Sequence, residues 1–331
     1  MSTLAIALAQ ANFLVGDVGG NTQKVLDLAS QARAAGAHLL LCPELALSGY
    51  PPEDLLFHRG FRHQVHDALE RVREAARGIG VVVGYPEYSN DEIYNSCALF
   101  EDGAMQAQHR KACLPNYRVF DEKRYFVPGE APAVVTVAGV RVGVTICEDV
   151  WLPGPVARAA EAGAQLLVNL NASPYHAGKG GQRLEVLRQR TREGHIPIVY
   201  VNLLGGQDEL VFDGGSVVVG ADGALTQRAP FFAAGLYPVD FRLSEAGLTP
   251  VPGDIAEEPG AEEGIYRALV LGVRDYVEKN GFPGVVLGLS GGIDSALTLA
   301  IAVDALGPER VEAVLMPSRY TADMSNTDAE L

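Results

Sequence analysis

Short apolar, strand-like runs recur along the first 240 residues, several of them continuous rather than alternating: Leu4–Ala9, Leu39–Cys42, Val81–Gly84, Val140–Cys147, Leu166–Leu170 and Ile198–Val201. A strand with one wet face alternates apolar and polar residues, whereas a strand that is apolar throughout has both faces covered. Helical stripes lie between some of these runs. Asn21–Ala35 aligns Val25, Leu28, Ala29 and Ala32, Phe61–Arg77 aligns Val65, Leu69, Val72 and Ala76, and Gly181–Glu193 is also helical in pattern. Other strands follow one another directly, Tyr94–Phe100 then Met105–Arg110 across Glu-Asp-Gly, and Glu209–Phe212 then Ser216–Gly220 across Asp-Gly. Such turns mark hairpins. Crossover helices together with hairpins predict mixed sheets in an α/β layer architecture.

The composition changes after Phe241. The stretch from Ser244 to Gly264 holds three Pro, four Gly and five Glu, and reads as a linker. A second α/β pattern follows, with an amphipathic helix over Ile265–Glu278, a buried strand over Gly284–Leu289, a helix over Asp294–Ala305 and a buried strand over Val311–Met316. The reading is a domain over 1–245, a linker over 246–264 and the N-terminal part of a second domain over 265–331.

Acidic residues number 41 against 26 basic ones, a formal charge of −15. Nucleic-acid binding needs clustered Lys and Arg, so that class is set aside. Nor does any run of 18 apolar residues suggest a membrane span. The start, MSTLAIALAQANF, lacks the basic region of a signal peptide. The four cysteines form no CxxC pair and are read as free thiols of a cytoplasmic protein. His63 and His66 lie three apart without a ligand set for a metal and read as surface residues.

Glu44, Lys111 and Cys147 each stand just past an expected strand, at its carboxyl end, where α/β sheets place their ligands. Taken singly they are unremarkable: a turn carboxylate, a surface lysine and a small core residue. Together they suit attack on an amide carbon. A carboxylate takes the thiol proton, a cation stabilises thiolate and oxyanion, and the backbone N–H of Glu148 completes the oxyanion site.

The segments PELALSGYPPEDLL, HRKACLPNYRVFDEKRYFVPG and TICEDVW resemble the three catalytic segments of the nitrilase superfamily, and in particular the glutaminase domains of glutamine-dependent NAD⁺ synthetases. The resemblance spans residues 1 to about 245. It implies an αββα sandwich with Glu44 as general base, Lys111 as electrostatic stabiliser, Cys147 as nucleophile and Glu122 orienting the lysine. It also implies glutamine binding by Tyr117, Ser173 and Lys179, the lysine meeting an α-carboxylate.

In the second segment an apolar strand runs through Gly288 and Leu289 into Ser290-Gly291-Gly292-Ile293-Asp294-Ser295, and a helix follows. Glycines allow close backbone approach, and successive N–H groups at a helix start suit phosphate. Neither the Walker nor the Rossmann pattern is present. SGGIDSA resembles the pyrophosphate loop of ATP pyrophosphatases, and VLMPSRYTAD resembles the segment that sets Met316 beside adenosine. The resemblance implies ATP as a substrate, Mg²⁺ near the phosphates with Asp294 as a candidate ligand, and no organic prosthetic group. Asp294 also suits the N-cap of the helix that follows.

The expected activity is release of ammonia from L-glutamine through a cysteine thioester. ATP-dependent amidation of deamido-NAD⁺ would follow, in a homo-oligomer without nucleic-acid or membrane partners. Members of the family continue well past the position where this sequence stops. If Leu331 is the end of the polypeptide, glutaminase chemistry without NAD⁺ synthesis is expected. The alternative is a free-standing nitrilase-type amidase, against which the SGGIDS segment stands. A silent nucleotide-binding module would leave the Glu-Lys-Cys set unexplained.

Overall fold

The apolar runs become strands in two sheets of a computed structural model that describes residues 2–245, 247–319 and 323–330. The first sheet begins with β1 (Ser2–Gln10), α1 (Val18–Ala34), β2 (Leu39–Leu41), α2 (Arg59–Ala75), β3 (Gly80–Ser89), β4 (Glu92–Glu101) and β5 (Ala104–Arg110). Helical crossovers make β1, β2 and β3 parallel, and tight turns make β3, β4 and β5 antiparallel. The chain then crosses to a second sheet through β6 (Ala133–Val137), β7 (Val140–Ile146), α3 (Pro155–Glu161), β8 (Leu166–Asn171), α4 (Lys179–Gly194) and β9 (Ile198–Asn202). Strands β7, β8 and β9 are parallel.

The hairpin of β10 (Leu204–Gln207) and β11 (Leu210–Asp213) follows. This corrects the expected pairing across Asp-Gly. The turn is at Asp208, φ +50°, and the successive positive φ values of Gly214 and Gly215 lead the chain out of the hairpin. Beyond them β12 (Val217–Val219) pairs with β9 and with β13 (Leu225–Arg228). The chain returns to the first sheet as β14 (Gly235–Ser244), antiparallel to β1, and β15 (Gly247–Pro250). Residues 247–250 therefore extend a sheet inside the stretch that composition marks as linker, with Leu248 and Pro250 buried. The local Gly and Pro content hid the strand.

The sheets run β15-β14-β1-β2-β3-β4-β5 and β13-β12-β9-β8-β7-β6. They face each other over a shared core that includes Leu4, Ile6, Leu39, Leu41 and Leu99 from one and Val142, Val144, Leu166, Val168 and Val218 from the other. Helix α1 covers the outside of the first sheet with Val25, Ala29 and Ala32, and α2 does so with Phe61, Val65 and Val72. Helices α3 and α4 cover the second through Val156, Ala159 and Leu187. The result is the αββα sandwich, in which a central strand has apolar neighbours above and below.

The second unit, described by itself, contains α5 (Ala261–Lys279), β16 (Val285–Leu289), α6 (Ile293–Leu306), β17 (Val311–Leu315) and α7 (Asp323–Glu330). β16 and β17 form a parallel pair, Val285 opposite Val311 through Leu289 opposite Leu315. Their apolar runs predict full burial, yet Val286 is 67% exposed, because α6 packs on one face of this two-stranded sheet. Tyr320, Thr321 and Ala322, part of the VLMPSRYTAD segment, lie outside the described residues.

Gly84 in β3 links the frame to the candidate site. A Cβ there would overlap the Leu45 backbone N and lie 2.8 Å from Pro43 O and 3.0 Å from Glu44 C. The glycine lets the loop carrying Glu44 lie directly on the strand. Gly84→Ala is expected to lower unfolding free energy by about 1–3 kcal/mol and to displace Glu44. Urea denaturation checks this; an unchanged midpoint would contradict it.

Candidate active site

Three strand ends and one loop converge within the sandwich. Glu44 lies just past β2, Lys111 directly follows β5, Cys147 directly follows β7, and Glu122 opens a short 3-10 turn over Glu122–Arg124. All four are buried. The Lys111 Nζ donates to Glu44 Oε1 at 2.7 Å and to Glu122 Oε1 at 2.7 Å. Asn95 Nδ2 also donates to Glu44 Oε1 at 2.7 Å, and the Ala172 backbone N–H to Glu44 Oε2 at 2.9 Å. Tyr50 Oη donates to Glu122 Oε1 at 2.9 Å. Glu122 Oε2 has no hydrogen-bond partner among the described residues.

Cys147 is not the last residue of its strand, as the apolar run suggests, but the first of a 3-10 turn over Cys147–Val150. Its φ is +44°, a left-handed conformation costly for a side chain with a Cβ. The turn breaks the strand's direction at the sulfur. An elbow of this kind presents a nucleophile at a sheet edge.

The charges follow from burial and pairing. Burial opposes the Lys111 charge, but Glu122 and Glu44, with Cys147, outweigh it and hold the ammonium well above its ordinary pKa. The Cys147 thiol is pushed well up by burial and then by Glu44, against Lys111. The resting sulfur is therefore a thiol. Burial raises Glu122 to about 7, with Lys111 opposing and Glu44 reinforcing the shift.

Of the expected glutamine-binding residues, Tyr117 and Lys179 interact electrostatically with this cluster. Tyr117 Oη lies 3.0 Å from both carboxylate oxygens of Glu148. Lys179 Nζ sits 4.1 Å from the Trp151 ring centroid and interacts electrostatically with Cys147 and Glu148; burial lowers its pKa. Ser173 is buried, its backbone N–H donating to Asn202 Oδ1 at 3.0 Å. Sequence reading did not single out Asn95, Tyr50 or the Ala172 amide. Asn95 had a signal, a polar residue beside the apolar run that ends β4. The other two had none, since their contacts depend on the fold.

Sequence similarity agrees with this architecture. Residues 5–251 match the carbon–nitrogen hydrolase family. The chain belongs to that family. Residues 265–331 match the NAD synthase family. A glutamine-dependent NAD(+) synthetase of Xanthomonas campestris is 49% identical over 99% of this chain and 60% of its own length. The structure of glutamine-dependent NAD⁺ synthetase from Acinetobacter baumannii in complex with ADP matches with a TM-score of 0.95 and 42% identity, over 99% of this chain and 62% of that one. An amidase mutant from Nesterenkonia, bearing the acetamide moiety of fluoroacetamide on its active-site cysteine, matches with a TM-score of 0.66 and 34% identity over 72% of this chain and 90% of that one. The chain spans about 60% of the length of the curated relatives it matches first.

In the second unit, the loop after β16 is also formed. Ser290 and Ser295 hydroxyls lie 3.0 Å apart, the Ser290 N–H donates to Ser295 Oγ at 3.2 Å and the Gly292 N–H to Ser290 Oγ at 3.3 Å. Gly291 has φ +77°. Gly292, rather than Asp294, is the N-cap of α6; Asp294 lies in the first turn without a capping bond, because the helix starts one residue earlier than the sequence suggests. A cavity of about 190 Å³ is lined by Gly288, Leu289, Ser290, Met316 and residues of α7. Ile293 is 80% exposed. Among the described residues no group of three or more His, Cys, Asp or Glu could hold a metal.

In the carbon–nitrogen hydrolase domain, the raised Glu122 pKa sets two pH dependences. The charged form is disfavoured by folding, so its contribution to stability is fully present below pH 4.5 and lost as pH rises through about 7. Glu122→Gln removes that loss, so its stability relative to the parent is expected to be more favourable at pH 8 than at pH 5, as read by denaturant unfolding at both values. A ratio independent of pH would contradict the assignment. Amide-hydrolysing kcat/KM is expected to rise with pH through about 7, and in Glu122→Gln to fall about 10- to 100-fold and lose that limb.

Proposed function

We propose that the sandwich is a glutamine amidohydrolase domain whose ammonia serves an ATP-dependent ligase domain beginning near residue 265, the whole protein being a glutamine-hydrolysing NAD⁺ synthetase. The reading rests most on one observation: Lys111 bonded to both Glu44 and Glu122 beside the buried Cys147.

The steps balance with these groups. The Cys147 Sγ forms a bond to the glutamine carboxamide carbon while Glu44 takes the thiol proton. The oxyanion forms near the Lys111 ammonium, with the Glu148 backbone N–H as a second donor. Collapse breaks the C–N bond, and Glu44 returns its proton to the leaving nitrogen, releasing ammonia. Water then adds to the thioester carbon, giving its proton to Glu44. Glutamate leaves and the thiol is restored. Tyr117, Ser173 and Lys179 orient glutamine, with Lys179 facing its α-carboxylate and the Glu148 carboxylate available to its α-ammonium.

The backbone of Ser290–Ser295 receives ATP phosphates, with Gly288, Leu289 and Met316 beside the adenosine. Asp294 is the carboxylate that would help hold magnesium near the phosphates, where the ion would offset their negative charge. Adenylation of the deamido-NAD⁺ carboxylate releases pyrophosphate, and ammonia displaces AMP to form the amide. Neutral water protonates ammonia and removes its nucleophilic lone pair, so a shielded route preserves the reactive form. The setting we assign is a cytoplasmic homo-oligomer that uses no organic prosthetic group.

A glutamine-analogue electrophile tests the first half directly. It is expected to add to Cys147 alone among the four cysteines, located by peptide mass spectrometry, and Cys147→Ala is expected to lose both the adduct and ammonia release. An adduct on Cys42, Cys97 or Cys113, or ammonia release unchanged in Cys147→Ala, would refute the reading.

A further inference from the structure

One carboxylate next to the nucleophile has no part in the steps above. Asp149, two residues past Cys147, is fully buried. Its Oδ1 accepts the backbone N–H of Ala112 at 3.0 Å and of Cys113 at 2.9 Å. Its Oδ2 accepts the backbone N–H of Ile146 at 3.0 Å and lies 2.9 Å from Nε2 of His109. His109 is itself buried in β5, two residues before Lys111, and its Nδ1 has no hydrogen-bond partner among the described residues.

These partners have a pattern. Ile146 is the residue before Cys147, while Ala112 and Cys113 are the two residues after Lys111. A single carboxylate therefore joins the strand end that presents the sulfur to the strand end that presents the ammonium. We propose that Asp149 is a positioning residue for the hydrolysis assigned above, fixing the Cys147 elbow against the Lys111 segment, with His109 as its fourth anchor. The inference rests on that functional reading for its kinetic consequence, though not for its geometry.

Two physical arguments support it. The left-handed backbone at Cys147 persists only where surrounding bonds over-determine it, and the Ile146 bond acts at the adjoining residue. Asp149 is also held charged: burial opposes the charge, but the bonds from His109 and from the Ile146 and Cys113 amides keep its carboxyl below the usual range. An acceptor with two oxygens is what the arrangement needs. Asn at this position has one oxygen. Whichever way its amide turns, an NH₂ group faces either the Ile146 N–H or the Ala112 and Cys113 N–H groups. One of the two strand ends is then released.

The test uses the full chain and Asp149→Asn. With folding verified by circular dichroism, kcat for ammonia release from glutamine is expected to fall at least about tenfold while KM stays within about twofold, since misplacement of reacting groups by an ångström costs rate more than binding. Alkylation of Cys147 by iodoacetamide, followed by mass spectrometry, is expected to change in rate by at least about fivefold. A folded variant with unchanged kcat and unchanged alkylation would overturn the proposal, and so would a raised KM with unchanged kcat. If Asp149→Asn does not fold, His109→Gln decides, because it leaves the three amide bonds in place. A kcat about threefold lower at constant KM supports the clamp, and an unchanged kcat overturns it. Parent protein that releases no ammonia would refute the glutaminase reading alone, and the alkylation rates would still judge the clamp.

Discussion

An ammonium enclosed by two carboxylates in a dry interior is the constraint on which the rest depends. Burying Lys111, Glu44 and Glu122 separately would carry a desolvation penalty of several kcal/mol for each ion. Bonded together at 2.7 Å they offset part of that cost; Asn95 and Tyr50 add second donors to the same Oε1 atoms, and the Ala172 amide supplies Glu44 Oε2. Cys147 adds a neutral thiol to this set. With two nearby carboxylates and one cation, a thiolate would be a third negative charge, so the sulfur keeps its proton. In the hydrolysis we propose, reactivity is thereby tied to bound substrate.

The sandwich serves this arrangement by bringing strand ends together. β2, β5 and β7 come from two sheets and contribute one group each just past their last residue. Chain sections far apart in sequence can meet there only if their backbones pack without gaps. Gly84 allows that contact on the Glu44 side, and Asp149 spans it between the cysteine and lysine sides. Groups that are merely near each other on loops would not hold a lysine and a thiol in fixed register through a reaction cycle.

Much of this was legible in the sequence because covered strands advertise themselves. Leu39–Leu41 and Ile198–Val201 are apolar at every position, Leu166–Leu170 at all but Asn169, and each lies where the run placed it. Glu44, Lys111 and Cys147 were visible as chemically capable residues just past expected strands. The second hairpin was misread because Asp213-Gly214 is a good turn dipeptide, while the actual turn at Asp208 carries no glycine. The strand over Gly247–Pro250 was concealed by Gly and Pro, which an edge strand tolerates. The partners of the cluster were hidden for another reason. Tyr50 and the Ala172 amide matter through contacts that only tertiary structure creates, and Asp149 is one acidic residue beside another until its hydrogen bonds are seen.

The protonation order of the lysines tests the central claim most directly. The chain has five, Lys24, Lys111, Lys123, Lys179 and Lys279, few enough for side-chain ¹⁵N NMR to resolve each one. On raising the pH, Lys179 is expected to lose its proton well before Lys111, whose ammonium persists under the hold of Glu122 and Glu44. Deprotonation of Lys111 together with Lys179, or ahead of it, would show that no such enclosed ion pair exists, and the account built on it would fall.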